Sequence, residues 1–271
     1  VVELKNVNFG YEPDKLIFEN VNCFFTPGKV HVIAGKSGVG KTTLLDLIFG
    51  FLKPDAGEIY FGQEQVKGVL SDKAAYLVAD PEKYFFEPSV VEEVAFPLRF
   101  NGFLKEEAKI RAVQILSKLG LDERIWLSNP NQLSKGLKRK VALASTLVLG
   151  RELVLLDEPL AGLDRKGRKM VADLLGDIVS SGRTVIMTAH SFDELLELKP
   201  EIHLVLERKI FIVDMNQPKD ALNLFYRAGL IPPEKLKLAV EMVKKGFYLS
   251  VFQSDEEFVK KAVELLLKNE G

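Results

Sequence analysis

One short segment limits what this chain can fold into: Gly35-Lys36-Ser37-Gly38-Val39-Gly40-Lys41-Thr42-Thr43. It follows an apolar-rich run, Val30-His31-Val32-Ile33-Ala34, that reads as a buried strand. It precedes Leu44, Leu45, Leu47 and Ile48, which fall on one side of a helix. Strand, loop and helix are the setting in which the pattern G-x-x-x-x-G-K-[ST] binds phosphate. The glycines let successive backbone N–H groups turn inward around an anion, and the helix N-terminus adds partial positive charge. The pattern directs Lys41 to the outer phosphates and the Thr42 hydroxyl to Mg²⁺. A chance glycine turn before a helix is the competing reading, and the flanking strand and helix count against it.

The remainder of the chain supports a nucleotide site. Leu153-Val154-Leu155-Leu156 is wholly apolar, as a parallel strand covered on both faces must be. It ends in Asp157-Glu158, followed by Pro159. An Asp at that strand end is placed to hold Mg²⁺, and the next carboxylate can act as general base toward water. A third strand-like run, Thr184 to Ala189, ends at His190. A histidine there is usually a structural hydrogen bonder; its weight comes from the company it keeps.

With these motifs in order, the chain resembles the ATP-binding subunits of ABC transporters over about its first four-fifths. Tyr11 falls where that family stacks an aromatic ring on adenine. Leu133-Ser134-Lys135-Gly136-Leu137 falls at the family signature, LSGGQ, and Ala161-Gly162-Leu163-Asp164 at the D-loop. The resemblance implies ATP and Mg²⁺ as cofactors. Gly35 to Thr43, with Tyr11, would hold the nucleotide of this chain, and Thr42 and Asp157 its metal. Glu158 would be the catalytic base and His190 the switch histidine at the γ-phosphate. Ser134, Gly136 and Asp164 would serve the nucleotide held by an opposite subunit. The implied fold is α/β: a P-loop NTPase with a RecA-like core, an N-terminal antiparallel β-subdomain, an inserted α-helical subdomain and a small C-terminal extension.

The bulk numbers narrow the partners. Lys and Arg total 37 against 38 Asp and Glu, so no strongly basic face for nucleic acid is implied. One cysteine, Cys23, precludes an intrachain disulfide. No stretch approaches the ~20 apolar residues a membrane helix needs, and the start alternates like a strand rather than a signal peptide. The chain is therefore expected to be soluble, with any membrane role exercised through a partner.

Val2, Leu4, Val7 and Phe9 alternate as a strand before a turn expected at 10–14, and a second strand-like stretch runs from Ile17 to Phe25. A tight connection over 53–58 leads into Ile59-Tyr60-Phe61, and Ala75 to Val78 reads as a core strand. From about 80 to 149 the pattern is helical. Lys105 to Leu119 carries Ala108, Ala112, Ile115, Leu116 and Leu119 near one face, with Gly120 as its cap. Ser134 reads as the N-cap of a helix over Lys138 to Leu149. The nucleotide-binding domain is thus expected over 1–216. Short amphipathic helices punctuated by Pro218 and Pro232-Pro233 make up 217–271, the last over Asp255 to Lys268. Packing and dimerisation or docking are equally weighted roles for that tail.

Asp80-Pro81-Glu82 through Val94-Ala95-Phe96, and Gly229-Leu230-Ile231-Pro232-Pro233-Glu234, are similar to segments of energy-coupling factor (ECF) transporter ATPases. Those proteins energise importers of vitamins or transition-metal ions from the cytoplasmic face of the membrane. The resemblance implies a second ABC ATPase, a transmembrane coupling subunit and a separate substrate-binding membrane subunit. Asp80, Glu82 and Glu87 are the local acids for arginines of the coupling subunit; solvated helix-start acids are the bland alternative. The chain departs from the family pattern at Ala79, where the Q-loop glutamine belongs, and at Lys135 and Leu137 in the signature. A homodimer would combine these defects in both ATP sites, so the expected assembly is a heterodimer. The alternatives are a mainly regulatory nucleotide-binding subunit and the ATPase of a conventional ABC transporter. DNA-repair and translation ABC proteins usually carry two cassettes or a long coiled coil, and neither is visible here.

Overall fold

Period-two alternation explains the layering. In β3 (Val30–Ala34), Val30, Val32 and Ala34 join one apolar cluster and Ile33 the other. In β7 (Leu153–Leu156), Val154 and Leu156 face the first cluster, Leu153 and Leu155 the second. Successive side chains of a strand point to opposite faces, so a strand buried on both is largely apolar, and a polar residue in it, such as His31, needs a buried partner.

The computed structural model describes residues 2–12, 14–191 and 193–267. β1 (Val2–Glu12) and β2 (Lys15–Phe25) form a hairpin; α1 (Lys41–Phe49) follows the glycine loop. Next come β4 (Ala56–Phe61), β5 (Glu64–Gln65) and β6 (Ala74–Leu77). The helical insertion holds α2 (Val90–Phe100), α3 (Lys105–Lys118) and α4 (Lys135–Leu147). After β7 come α5 (Arg165–Ser180), β8 (Thr184–Thr188), β9 (Glu201–Leu206) and β10 (Lys209–Val213). The chain closes with α6 (Pro218–Arg227), α7 (Glu234–Lys244) and α8 (Asp255–Leu267).

Two sheets result. The antiparallel sheet has the order β2-β1-β4-β5, and the core sheet β10-β9-β3-β8-β7-β6. In the core sheet every neighbouring pair is parallel except the β9–β10 hairpin. The apolar side chains Leu44, Leu45, Leu47 and Ile48 of α1 share a cluster with Val2, Leu4, Phe18 and Phe25 of the antiparallel sheet and Leu155 and Ile186 of the core sheet. The opposite face of the core sheet is covered by α2 to α5. Phosphate loop, Asp157 and His190 all follow C-terminal ends of adjacent parallel strands, the edge where open α/β sheets bind ligands.

Several boundaries differ from the sequence reading. β1 runs on to Glu12, so Tyr11 lies in a strand rather than a turn. Glu12 pairs with Lys15 in register, and their ion pair of 2.7 Å closes the hairpin; residue 13 is outside the described residues. β4 begins at Ala56 because its first residues pair with β1, Ala56 opposite Asn8. α4 starts at Lys135, earlier than Lys138, because Ser134 is extended and its Oγ accepts the Leu137 N–H at 3.5 Å. The cap of α3 is Leu119, and Gly120 sits one residue beyond with φ 63°. α8 is described to Leu267; Lys268 lies outside the described residues.

The residues after 216 share the core. Ala221 and Phe225 of α6, and Leu236 and Ala239 of α7, belong to the cluster that contains α5 and the core sheet. Phe258 and Ala262 of α8 pack instead on Met242 and Leu249 in a small cluster of their own.

Candidate active site

The phosphate loop has a buried base and an open tip: Gly35 and Gly40 are buried, whereas Lys36, Ser37 and Gly38 are exposed and Val39 is half-buried. Gly40, with φ 109°, is where the loop turns into α1; a Cβ there would come within 2.4 Å of Ile17 Cγ2. Only glycine meets both demands. Lys41 is buried, and its Nζ donates to the carbonyls of Gly35 at 2.9 Å and Lys36 at 3.0 Å. The lysine thus spans the concavity of its own loop. Burial lowers its pKa from the ordinary lysine value, against the opposing pull of Glu158 and Asp157.

Asp157 ties three elements together. Thr42 Oγ1 donates to its Oδ2 at 2.7 Å, and Thr188 Oγ1 donates to its Oδ1. Thr188 also accepts the Glu158 backbone N–H at 2.9 Å. Glu158 holds the left-handed conformation, φ 50°, that a non-glycine residue adopts only under constraint. That bend swings its side chain toward His190, whose Nε2 lies 2.8 Å from Glu158 Oε1. The two residues border a cavity of about 90 Å³ whose lining includes Ala161, Arg168 and Ser191. Sequence-identified residues at the phosphate loop, after β7 and after β8 are therefore connected, with Thr188 of β8 between them.

Tyr11 is attached to the same loop. Its hydroxyl lies 3.1 Å from Thr43 Oγ1, and its ring meets Phe9 edge-on with centroids 5.2 Å apart. The ring is 64% exposed, so a face remains open beside the loop.

Ser134, Gly136 and Asp164 stand apart from this network. Ser134 caps α4, and Asp164 caps α5 by accepting the Gly167 N–H at 2.7 Å. A Cβ on Gly136 would lie 3.2 Å from the Gly162 carbonyl, so the signature and the 161–164 loop are packed side by side. Among the described residues neither Ser134 nor Asp164 has a hydrogen bond to the phosphate loop. Leu137 packs inward, half-buried against the main cluster.

The sequence reading missed Arg139. It is 3% exposed, and its guanidinium donates to the backbone carbonyls of Ala79 at 2.7 Å, Asp157 at 2.7 Å and Glu158 at 2.5 Å. It ties the signature helix to the strand that carries the two carboxylates. Burial lowers its pKa, opposed first by Glu82, whose carboxylate is 3.9 Å away. The available clue was a lone cation on the face of α4 that also carries Ala142 and Leu143. Thr188 was also overlooked, being the last residue of an otherwise ordinary strand.

Each acid near the Q-loop position has a cationic neighbour, although Asp80 itself is exposed. Asp80 pairs with Lys83 at 2.6 Å, Glu82 lies near Arg139, and Glu87 pairs with Arg99 at 2.7 Å. Lys83 holds the Asp80 carboxyl below its ordinary pKa. Among the described residues Asp80 has no hydrogen bond to Thr42 or Asp157. The tail reaches the phosphate loop at one point: a Cβ on Gly229 would come within 2.1 Å of Lys36 Cε.

Comparison with known proteins agrees with this geometry. The ABC transporter family matches residues 18–161. The energy-coupling factor transporter ATP-binding protein EcfA2 of Lactobacillus johnsonii is 31% identical over 286 aligned positions, covering 100% of this chain and 98% of that protein. Among solved structures, the ATP-binding cassette MJ0796, a dimer in a post-hydrolysis state bound to ADP and Pi, superposes with a TM-score of 0.69 at 28% identity. It covers 78% of this chain and 96% of its own. CbiO1 of Clostridium perfringens, part of the ABC transporter complex cbiONQ, shares the fold with a TM-score of 0.71 at 24% identity, covering 91% and 97%. A chain with this loop, this Asp157 junction and these full-length relatives is an ATP-binding ABC ATPase, and it belongs to the ABC transporter family among the ATP-binding proteins of energy-coupling factor transporters.

Proposed function

We propose that this chain is the energising subunit of an ECF-type importer, closing on a second ABC ATPase when ATP binds and reopening after hydrolysis. The observation that carries the reading is the Asp157 junction: Thr42 on one oxygen, Thr188 on the other, and the Glu158–His190 pair beside it. Its donor set suits Mg²⁺, since Thr42 Oγ1 and Asp157 Oδ2 are hard oxygen ligands 2.7 Å apart at the start of α1. Bound with ATP, Mg²⁺ would neutralise phosphate charge there.

The chain's own groups do the rest. Lys41 exchanges the Gly35 and Lys36 carbonyls for phosphate oxygens, and the amides from Gly35 to Thr43 cradle the anion. Tyr11 offers its open ring face to the adenine. Glu158 accepts the proton of the attacking water, and His190 holds Glu158 Oε1 and reaches the γ-phosphate. Ser134, Gly136 and Asp164 face the partner's nucleotide, with the N-terminus of α4 as an anion donor.

The partner ATPase supplies the complementary half-site. Ala79 and Leu137 lie in different halves of a composite site, so pairing with a fuller relative keeps each site short of only one group. The tail over 217–271 supports the pairing. The chain reaches the membrane through a transmembrane coupling subunit and a substrate-binding membrane subunit at its cytoplasmic face. No helix among the described residues is long and apolar enough to cross a membrane. Exposed Tyr84, Phe86 and Phe100, with Phe86 edge-on to Phe96 at 4.7 Å, support docking at α2.

The test is Glu158→Gln in the assembled complex. ATP binding should persist while turnover falls by about 100-fold or more, because the water loses its base. Lys41→Ala should weaken ATP binding itself. Native turnover in Glu158→Gln would sink the reading.

A further inference from the structure

The start of β3 lies away from the phosphate loop, on the side that faces the antiparallel sheet. There β3 and β9 are paired in parallel, His31 opposite Glu201 and Ile33 opposite His203. His31 and His203 are 0% exposed, and Glu201 is half-buried. Their ligand atoms all lie within 4.8 Å of one another. We propose that His31, His203 and Glu201 form a structural binding site for a divalent transition ion of the Zn²⁺ class, which clamps β3 to β9 beneath the antiparallel sheet.

Two of the three ligand separations suit the ion. Zn²⁺ with imidazole and carboxylate ligands at about 2.0–2.1 Å has tetrahedral edges of about 3.3 Å. His31 Nδ1 lies 3.1 Å from His203 Nε2 and 3.4 Å from Glu201 Oε2. Two imidazoles and one carboxylate are the donor set such ions prefer, whereas Mg²⁺ and Ca²⁺ favour oxygen alone.

The orientation of the rings is the second argument. Each histidine turns one nitrogen toward the shared centre and gives the other to an outer partner. His31 Nε2 donates to the Thr26 carbonyl at 2.7 Å, and His203 Nδ1 faces Cys23 Sγ at 3.5 Å. Outer-shell partners of this kind fix the tautomer of metal-binding histidines. Cys23 Sγ lies at His203 Nδ1, behind the ring rather than at the nitrogen that faces His31, and so stands outside the ligand set. Glu201 gives its other oxygen, Oε1, to Lys29, and Thr26 Oγ1 braces both oxygens at 3.0 and 3.1 Å. Oε2 therefore remains available.

Without an ion, one proton must lie between His31 Nδ1 and His203 Nε2. On binding, the His203 proton moves from Nε2 to Nδ1, where Cys23 Sγ accepts it. No net proton is released, and the thiol keeps its own.

The experiment titrates the full chain, stripped with EDTA and free of nucleotide, with ZnCl₂ by calorimetry and with CoCl₂ by absorbance. One ion per chain is expected, with Co²⁺ d–d bands of tetrahedral strength and no sulfur-to-cobalt charge-transfer band. Histidine ¹⁵N shifts should report the His203 tautomer change. His203→Gln and Glu201→Gln should each weaken binding by more than about 100-fold, since loss of even an outer-shell partner costs about 10–100-fold. If His203→Gln does not fold, Glu201→Gln, at a partly exposed position, carries the test. Cys23→Ser should stay within about tenfold. Absence of stoichiometric uptake, equal uptake in Glu201→Gln, or a sulfur charge-transfer band would overturn the assignment. So would uptake that disappears in Asp157→Asn while surviving in Glu201→Gln, which places the ion at the phosphate loop.

Discussion

The Walker half and the signature half of this molecule lie at the ends of the same domain's elements, yet they are organised differently. Lys41, Thr42, Asp157, Thr188, Glu158 and His190 are linked through side-chain hydrogen bonds and the Lys41 contacts to its own loop. Among the described residues, the side chains of Ser134 and Asp164 bond to the first turns of their own helices. One half is assembled within the chain; the other presents capped helix starts that, among the described residues, make no hydrogen bond to the phosphate loop. On the proposed reading, this half would act on the nucleotide of another subunit. Arg139 is the structural link, because it belongs to the signature helix and bonds to the backbone of both Walker carboxylates.

The sharpest way to break that contrast is to supply the missing half. ATPase activity of the lone chain should rise about tenfold or more when a related ATPase with a full motif set is added, because each site then gains anion donors that it lacks alone. Light scattering should show a monomer or weak dimer becoming a stable heterodimer. A tight homodimer with full activity would erase the distinction between the halves.

Next in size is Arg139. Arg139→Met leaves the carbonyls of Ala79, Asp157 and Glu158 without their donor, and the lost stability should be about 3–5 kcal/mol. Chemical denaturation measures it. A loss below about 1 kcal/mol would mean that the link between the halves is not structural.

A smaller effect is expected at Ala79. The position is exposed, so Ala79→Gln needs no repacking and should raise turnover by a fewfold in the assembled complex. Unchanged turnover in steady-state assays would imply that the Walker half is complete without a glutamine. The smallest effect on stability belongs to Ser134→Ala, about 1 kcal/mol from loss of the α4 cap. If the signature half acts in trans, the same variant should slow hydrolysis at the partner's nucleotide while leaving ATP affinity of this chain's loop unchanged. Slowing confined to this chain's own loop would reverse the assignment.

Much of the Walker half was legible in the chain. Its residues are local: a strand, a glycine loop and a helix contiguous over 30–49, and carboxylates directly after an apolar run. Local order follows from backbone chemistry and alternation, which a sequence displays. The ends of elements were less legible. β1 extends to Glu12 because of cross-strand pairing with Lys15, and β4 starts at Ala56 because β1 lies beside it. Neither cause is visible within a single segment.

The sequence by itself determined the phosphate loop, the order of the strands that carry Asp157 and His190, and the apolar faces that bury the core sheet. Tertiary structure alone decided that Arg139 reaches the carboxylate junction and that His31, Glu201 and His203 converge. These contacts join residues remote in sequence, and each forms because a buried polar group must find a partner once the surrounding apolar surfaces have closed. Which partner it finds depends on strand register and helix placement, quantities that exist only in the folded chain.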